Sequence, residues 1–240
     1  MSEPRRTHRV AAWGVHVYTA LGLPVSFMAT LALAEGNAQG FFFCMWMTCF
    51  IDATDGTMAR RLKVREVIPT FDGRKLDDIV DFLTFVFLPA LSLPALGILP
   101  HGMEWVAILP LMASAYGFCQ DRAKTAESFV GFPSYWNILV LYLYVLRPSP
   151  VLAASIIGFL SVLVFVPIHY LYPTKAKLLR PVTIAGGIVW SAALLPVCFV
   201  PDAPWARQVA LASLLYPLYY FVLSLVHHSR IHASETADPA

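Results

Sequence analysis

The sequence predicts an all-α, polytopic membrane protein in which about eight transmembrane helices form a single bundle. Of its 240 residues, 58% are hydrophobic and only 13% are charged, whereas about a quarter of the residues in an average soluble domain carry a charge. The mean hydropathy of +0.64 agrees with this composition. The apolar residues gather in long stretches, each close to the roughly 20 residues that a helix needs to cross a bilayer.

Eight apolar stretches follow one another along the chain. They cover residues 10–34, 40–60, 75–99, 103–120, 131–147, 149–171, 181–200 and 204–227. The second stretch ends, and the third begins, in acidic residues. The fifth and sixth are so close together that segments could merge or split there.

The connections between the stretches are short, so a soluble domain of about 50 or more residues does not fit between them. We therefore expect residues 1–228 to form one transmembrane domain. Residues 229–240 are polar, and we expect them to be a disordered cytoplasmic tail.

The orientation follows from the positive charges, because Lys and Arg beside the spans tend to remain cytoplasmic. With both termini cytoplasmic, fifteen basic residues lie inside and two outside. The inner set is Arg5, Arg6, Arg9, Arg60, Arg61, Lys63, Arg65, Arg74, Lys75, Arg122, Lys124, Lys175, Lys177, Arg180 and Arg230, and the outer set is Arg147 and Arg207. The small net charge of +2 arises from residues that flank the spans. It indicates contact with anionic lipid head groups and no nucleic-acid partner.

Four aspartates break the apolar pattern where the second and third stretches meet. Asp52 and Asp55 lie at the end of one stretch, and Asp77 and Asp81 at the start of the next. A charged residue in mid-bilayer costs roughly 2.5–3.5 kcal/mol, and four neighbouring carboxylates repel one another. A positive group must therefore compensate them.

Helical geometry places these aspartates on two polar stripes. At about 100° per residue, each set falls on one face of its helix. The sets are Asp52, Asp55, Gly56, Ala59 and Arg60 on the first helix, and Gly73, Asp77 and Asp81 on the second. Antiparallel neighbours can turn such stripes toward each other and form an all-oxygen pocket, which suits Mg²⁺, Mn²⁺ or Ca²⁺. Two divalent ions would balance the four charges and leave positions for phosphate oxygens, as two-metal phosphoryl transfer requires.

Three further residues on the first stripe suit a phosphate-bearing donor. Gly56 and Ala59 lack bulk, which would let a nucleotide or diphosphate approach the helix backbone, and Arg60 could neutralise a phosphate. Each residue also has a plain structural interpretation. Small residues pack membrane helices together, and an arginine at the end of a span is an ordinary topology signal.

The two stripes resemble the signature of the CDP-alcohol phosphotransferase family, which reads D-x2-D-G-x2-A-R and then G-x3-D-x3-D. This chain has every fixed position of that signature. The twelve residues that separate Arg60 from Gly73 form a longer spacer than is usual in the family. With the additional spans and the segments Gly131–Asn137 and Pro167–Pro173, this spacer makes the chain most similar to the bacterial phosphatidylcholine synthases of the family.

The resemblance implies a reaction and roles for the motif residues. The reaction is condensation of CDP-diacylglycerol with choline to give phosphatidylcholine and CMP, with Mn²⁺ or Mg²⁺. Asp52, Asp55 and Asp77 would bind the metal, and Asp81 would be both the general base and a further metal ligand. His16 and Thr19 match the region that contacts the cytidine nucleotide, although a histidine in a span can equally serve helix packing.

The resemblance also implies partners and a location. It implies a homodimer in the bacterial inner membrane, among membrane lipids, with the active site facing the cytoplasm. The acceptor needs aromatic faces or a carboxylate, because a trimethylammonium group has no hydrogen-bond donor. Tyr116 and Trp136 are taken as the candidates, against the alternative of an interfacial aromatic belt. They come from a larger set of aromatic residues near the predicted cytoplasmic span ends, which also holds Phe118, Tyr135, Tyr170 and Tyr172. Lys177 and Arg180 could contact the lipid phosphate of the donor, or simply follow the positive-inside rule.

Two alternatives remain open. The same chemistry could use serine, glycerol 3-phosphate or inositol phosphate as the acceptor, but an anionic acceptor would demand basic residues buried within a span, and none is found there. A divalent-cation transporter could also carry carboxylates in its spans. Transport sites usually lie near mid-bilayer between repeated halves, whereas these aspartates lie near Arg60 and Lys75 and no second half repeats them.

Overall fold

The computed structural model describes residues 6–120, 125, 127–173 and 175–237, and for 233–237 it describes the backbone alone. Within these residues the chain is almost entirely helical. Three of the basic residues used to predict the orientation, Arg5, Arg122 and Lys124, lie outside the described part.

The first predicted stretch forms a long helical segment with one interruption. Helix α1 covers Arg6–Ala20 and α2 covers Gly22–Ala34. The turn at Leu21 lies just before Pro24, which has no backbone N–H to donate to the carbonyl of Ala20. A proline of this kind is a common cause of a kink in a long helix.

Helix α3, Ala38–Arg61, carries the first pair of aspartates at its C-terminal end. The helix begins where the side chain of Asn37 accepts a hydrogen bond of 2.8 Å from the backbone N–H of Gly40. Its end is marked by Lys63, whose φ of 49° is left-handed. The short helix α4, Val64–Val67, follows at once.

The long spacer between the two aspartate pairs is a packed part of the fold. Val64 and Ile68 are buried, and they form a small apolar cluster with Ala12 and Val15 of α1. The longer spacer therefore packs the connection between α3 and α5 against α1.

The second pair of aspartates lies on helix α5, Gly73–Asp81. Its N-terminus is capped by the side chain of Asp72, which accepts a hydrogen bond of 3.1 Å from the N–H of Arg74. The helix continues without a break through a π-helical turn, Phe82–Phe87, into α6, Leu88–Ala95. A π-helical turn beside a cluster of acidic side chains is noteworthy, because such turns are frequent at functional sites.

Six further helices and two short strands complete the described part of the chain. A 3₁₀ turn, Glu104–Ala107, leads into α7, Ile108–Phe118, and is followed by β1, Ser128–Val130, α8, Trp136–Leu146, α9, Pro150–Phe165, β2, His169–Leu171, α10, Arg180–Phe199, α11, Ala206–Ser213, and α12, Leu215–Ala237. The strands pair antiparallel, with Phe129 opposite Tyr170. Helix α2 packs on α3, α7 on α9, and α12 on β2, while α10 contacts both α3 and α11.

Two boundaries differ from the predicted ones. The stretch 149–171 is helical only as far as Phe165, because Pro167 favours extended backbone before it and Val166 is extended. The chain then forms β2, so the fold is not purely α-helical. At the other end, the backbone of α12 is helical through Ala237, beyond the predicted end of the last apolar stretch. That residues 229–240 form a separate polar tail stays a prediction.

The surface of the bundle is apolar, as a lipid environment requires. Phe27, Met112 and Val189 are each more than 60% exposed, while the interior is filled by residues such as Phe41 and Trp136. Among the described residues, three helical segments are long and apolar enough to cross a membrane: Arg6–Ala34, Arg180–Phe199 and Ala206–His232. Helices also occupy the other predicted stretches. The count of eight spans and the cytoplasmic position of both termini stay predictions.

Candidate metal centre

Three of the four motif aspartates come together in space. Asp52 and Asp55 on α3 and Asp77 on α5 each offer a carboxylate oxygen, and these oxygens all lie within 4.8 Å of one another. Asp55 is 5% exposed and the other two are half-buried. Three carboxylates held this close repel one another unless a cation lies between them. The cluster therefore has the all-oxygen character of a site for a hard divalent cation.

Helix α1 packs against both α3 and α5 and holds the site together. The hydroxyl of Thr19 donates a hydrogen bond of 2.7 Å to Oδ2 of Asp55. The residues directly before them, Tyr18 and Thr54, have hydroxyl oxygens 2.8 Å apart. The Thr19 contact orients this carboxylate, so Thr19 supports the predicted centre through Asp55.

Asp81 lies at the C-terminal end of α5, one helical turn beyond Asp77. It is half-buried, and it does not belong to the group of three whose oxygens lie within 4.8 Å of one another. Asp81 and Asp52 both lie within electrostatic range of the Cys49 thiol. The fourth carboxylate thus borders the cluster, directly before the π-helical turn.

Gly73 is in close contact with His16 of α1. A Cβ atom at position 73 would lie 2.6 Å from Cε1 and 3.0 Å from Nδ1 of the imidazole. The His16 ring is 7% exposed, its centroid lies 4.5 Å from that of Phe71, and its Nε2 has no hydrogen-bond partner among the described residues. The glycine therefore provides space for a buried ring, and that ring retains an unused polar atom beside the start of α5.

Gly56 has a different environment from Gly73. A Cβ at position 56 would meet only the Nη1 atom of Arg60, at 3.3 Å, which is the far end of a flexible side chain. The Arg60 guanidinium also donates a hydrogen bond of 3.1 Å to the hydroxyl of Thr57. Nothing in the protein itself therefore demands a glycine at position 56, and the open space above it can accept part of a ligand. Ala59, by contrast, packs against the apolar cluster that α1 forms with α4.

The residues present fit a divalent metal. The donor set consists of carboxylates, which Mg²⁺ and Mn²⁺ prefer over nitrogen or sulfur ligands. The half-buried Asp52 and Asp77 leave one side of the cluster open to a substrate oxygen. The choice between Mg²⁺ and Mn²⁺ is not decided by this donor set.

The two residues predicted to contact choline lie in different surroundings. Trp136 is 2% exposed, and its indole N–H donates a hydrogen bond of 2.7 Å to Ser114. Tyr116 is 45% exposed and packs on Phe165 of α9. Trp136 is thus a core residue of α8, and Tyr116 lies on the surface between α7 and α9.

Two tyrosines form an aromatic pair close to the start of α8. Tyr135 precedes α8, lies deep in the protein within electrostatic range of Asp52, and keeps some accessible surface. Its ring centroid is 6.1 Å from that of Tyr220 on α12, with the planes at 64°. The Tyr220 hydroxyl donates a hydrogen bond of 2.9 Å to the carbonyl of Leu171, which fixes this ring on β2. Tyr135 was one of several aromatic candidates in the sequence, whereas nothing in the sequence pointed to Tyr220.

The two predicted lipid contacts lie where the chain enters α10. Arg180 is the first residue of α10 and is exposed. The Lys177 ammonium is exposed and lies 3.9 Å from a carboxylate oxygen of Glu127. Neither residue lines the aspartate cluster.

Comparison with known proteins agrees with this arrangement. Residues 15–170 match the CDP-alcohol phosphatidyltransferase family. The chain is 35% identical to phosphatidylcholine synthase of Pseudomonas aeruginosa, over 82% of this chain and 84% of that protein. It is 36% identical to phosphatidylcholine synthase of Rhizobium meliloti, over 86% and 88%, and 33% identical to that of Agrobacterium fabrum, over 86% and 88%.

Proposed function

The chain belongs to the CDP-alcohol phosphatidyltransferase family, and from this membership we propose that it is a membrane transferase that condenses CDP-diacylglycerol with choline to give phosphatidylcholine and CMP. The observation that carries the proposal is the group of three carboxylates from α3 and α5 within 4.8 Å of one another. The names of its relatives support choline as the acceptor.

Asp52, Asp55 and Asp77 would hold the metal, Mn²⁺ or Mg²⁺. The bound metal would neutralise the diphosphate of the donor and the charge that develops on the departing CMP. Thr19 keeps Asp55 in place through its hydrogen bond. Asp81, beside the cluster, is proposed as a further metal contact and as the base.

The donor lies across the open face of α3. Gly56 lets the diphosphate approach the helix backbone, and Arg60 gives it a positive partner. The small side chain of Ala59 adds little bulk at that end of α3. Gly73 and His16 border the nucleotide, where the unused Nε2 of His16 can hydrogen-bond to a polar group.

The reaction makes one bond and breaks one. The choline oxygen bonds to the phosphorus that carries diacylglycerol, the bond from that phosphorus to the CMP oxygen breaks, and the hydroxyl proton passes to a carboxylate oxygen of Asp81. A carboxylate is a weak base, so this transfer takes place as the hydroxyl becomes acidic in the transition state.

The acceptor needs a surface that attracts a cation without hydrogen bonds. We place its trimethylammonium group against the ring faces of Tyr135 and Tyr220, close to the negative charge of Asp52. Tyr116 and Trp136 remain predicted contacts. Arg180 is proposed to contact the phosphate of the donor lipid, whereas Lys177 lines a separate surface cavity. We further propose a homodimer in the bacterial inner membrane with the site facing the cytoplasm.

The test is CMP release by the purified full chain in detergent with Mn²⁺ and CDP-diacylglycerol. Choline, serine, glycerol 3-phosphate, inositol phosphate or no acceptor is supplied in turn. The enzyme is compared with Asp81→Asn and with Asp78→Asn, a matched control because Asp78 is an exposed neighbour on the same helix. We expect choline-dependent release that Asp81→Asn abolishes and Asp78→Asn retains.

The outcomes separate the parts of the proposal. CMP release driven by another acceptor would support the family chemistry and rule out choline as the acceptor. Activity retained by Asp81→Asn would remove the base assignment. Mn²⁺ binding with no release from any acceptor would favour a cation-binding role over catalysis.

A further inference from the structure

A second polar site lies apart from the aspartates, between the loop that leads into α10 and the C-terminal half of α12. A surface cavity of about 500 Å³ opens there, with walls that include Glu127, Lys177, Leu179, His227, Arg230 and Ile231. Every wall residue except Glu127 lies beyond residue 170, where the match to the family ends. The cavity has no wall residue in common with the aspartate cluster.

The charges of the cavity favour an anion. Lys177 and Arg230 contribute two positive charges, and Glu127, 3.9 Å from the Lys177 ammonium, offsets one of them. An ammonium and a guanidinium on one cavity are the groups that proteins use to bind phosphate oxygens.

His227 adds a buried donor to this site. It is 7% exposed, and its Nε2 has no hydrogen-bond partner among the residues that the structure describes. A buried polar atom without a partner is costly. His227 also lies in the segment Ala206–His232, which is otherwise apolar enough to span a membrane, and polar residues in such segments commonly mark functional sites.

An apolar groove runs along the same helix away from the cavity. It has a volume of about 370 Å³ and is lined by residues that include Leu218, Val222 and Val226. Val222, Val226 and Arg230 follow at four-residue spacing, so they share one face of α12. The groove therefore continues from the cationic cavity along one side of the helix.

We propose that the cavity binds the phosphate group of an anionic phospholipid, whose acyl chain lies in the apolar groove of α12. The phosphate accepts hydrogen bonds from Lys177, Arg230 and His227. Free phosphate would satisfy the same cations, but it would leave the groove unused, which favours the lipid. This lipid is separate from the CDP-activated donor at the aspartates.

The test is native mass spectrometry of the purified full chain in detergent. Phosphatidylglycerol and phosphatidylcholine with identical acyl chains are supplied together, and the ratio of retained lipids is measured. Arg230→Gln and Lys177→Gln are compared with Arg207→Gln, which removes the same charge from an exposed position on α11. His227→Phe removes the ring nitrogens and keeps the aromatic bulk. The readout does not depend on catalysis.

We expect the unmodified chain to retain phosphatidylglycerol preferentially. Each cavity variant that loses a charge should weaken that preference about fivefold, since a basic residue near an anionic surface contributes about 1 kcal/mol. Arg207→Gln should keep the preference, and monodisperse elution of every variant excludes misfolding as the cause. Equal retention of both lipids by the unmodified chain, or an unchanged preference in the cavity variants, overturns the proposal. If inorganic phosphate at the same concentration displaces phosphatidylglycerol, the cavity binds free phosphate and the assignment of a lipid is overturned.

Discussion

Replacing Gly73 with alanine should force α1 and α5 apart. The added Cβ would lie 2.6 Å from Cε1 of His16, whereas ordinary van der Waals contact begins near 3.4 Å, so a movement of about 1 Å is needed. The ring cannot swing away freely, because it is buried and contacts Trp13 and Phe71. The strain therefore has to be relieved by movement of the helix that carries Asp77.

The size of the effect follows from two opposing terms. Overpacking of a filled site costs about 1–3 kcal/mol. Because Gly73 is the first residue of α5, alanine recovers less than the roughly 0.5–1 kcal/mol that it gains over glycine in mid-helix. We expect Gly73→Ala to lower the free energy of unfolding by about 1–2 kcal/mol. A displacement of about 1 Å at a catalytic group can also lower the rate around 100-fold, so CMP release should fall far more than stability alone explains.

A double-mutant cycle with His16→Ala isolates the clash. Thermal unfolding in detergent and CMP release are measured for both single variants and for the double variant. If the ring is the obstacle, Gly73→Ala should no longer destabilise the His16→Ala protein. Gly14→Ala on α1 is the matched control, because a Cβ there meets nothing within 4 Å. A loss of stability from Gly73→Ala that is equal in both backgrounds would refute the reasoning, as would unchanged stability and activity in the single variant.

Two further predictions separate ligand contacts from packing. Gly56→Ala should leave the unfolding temperature unchanged or slightly raised, since the new Cβ meets only the end of Arg60. The KM for CDP-diacylglycerol should rise. A loss of stability large enough to account for the lost activity would contradict a ligand role for this space. Tyr135→Leu should raise the KM for choline about two- to fivefold, the equivalent of about 0.5–1 kcal/mol for one cation–π contact, with the KM for CDP-diacylglycerol unchanged. Equal changes in both constants would show that Tyr135 serves packing instead.

Much of the molecule could be predicted from the sequence because the relevant signals are local. Hydropathy indicates membrane helices without knowledge of their neighbours, since a spanning helix satisfies its own backbone hydrogen bonds. The spacing from Asp52 to Asp81 places the carboxylates on two helical faces by periodicity alone. The membership in the CDP-alcohol phosphatidyltransferase family that these residues predict is confirmed by the comparison over residues 15–170.

What the sequence by itself determined, then, is the helical membrane fold, the family and the presence of a carboxylate-rich pocket. The tertiary structure decided which distant residues meet: His16 fills the space that Gly73 leaves, Thr19 orients Asp55, and Tyr220 contacts Tyr135. The pairing of β1 with β2 and the cavity on α12 likewise depend on contacts between residues that are far apart in the sequence. Periodicity orients a side chain on its own helix, whereas contacts between helices depend on how the whole bundle packs, and no spacing within one segment encodes that packing.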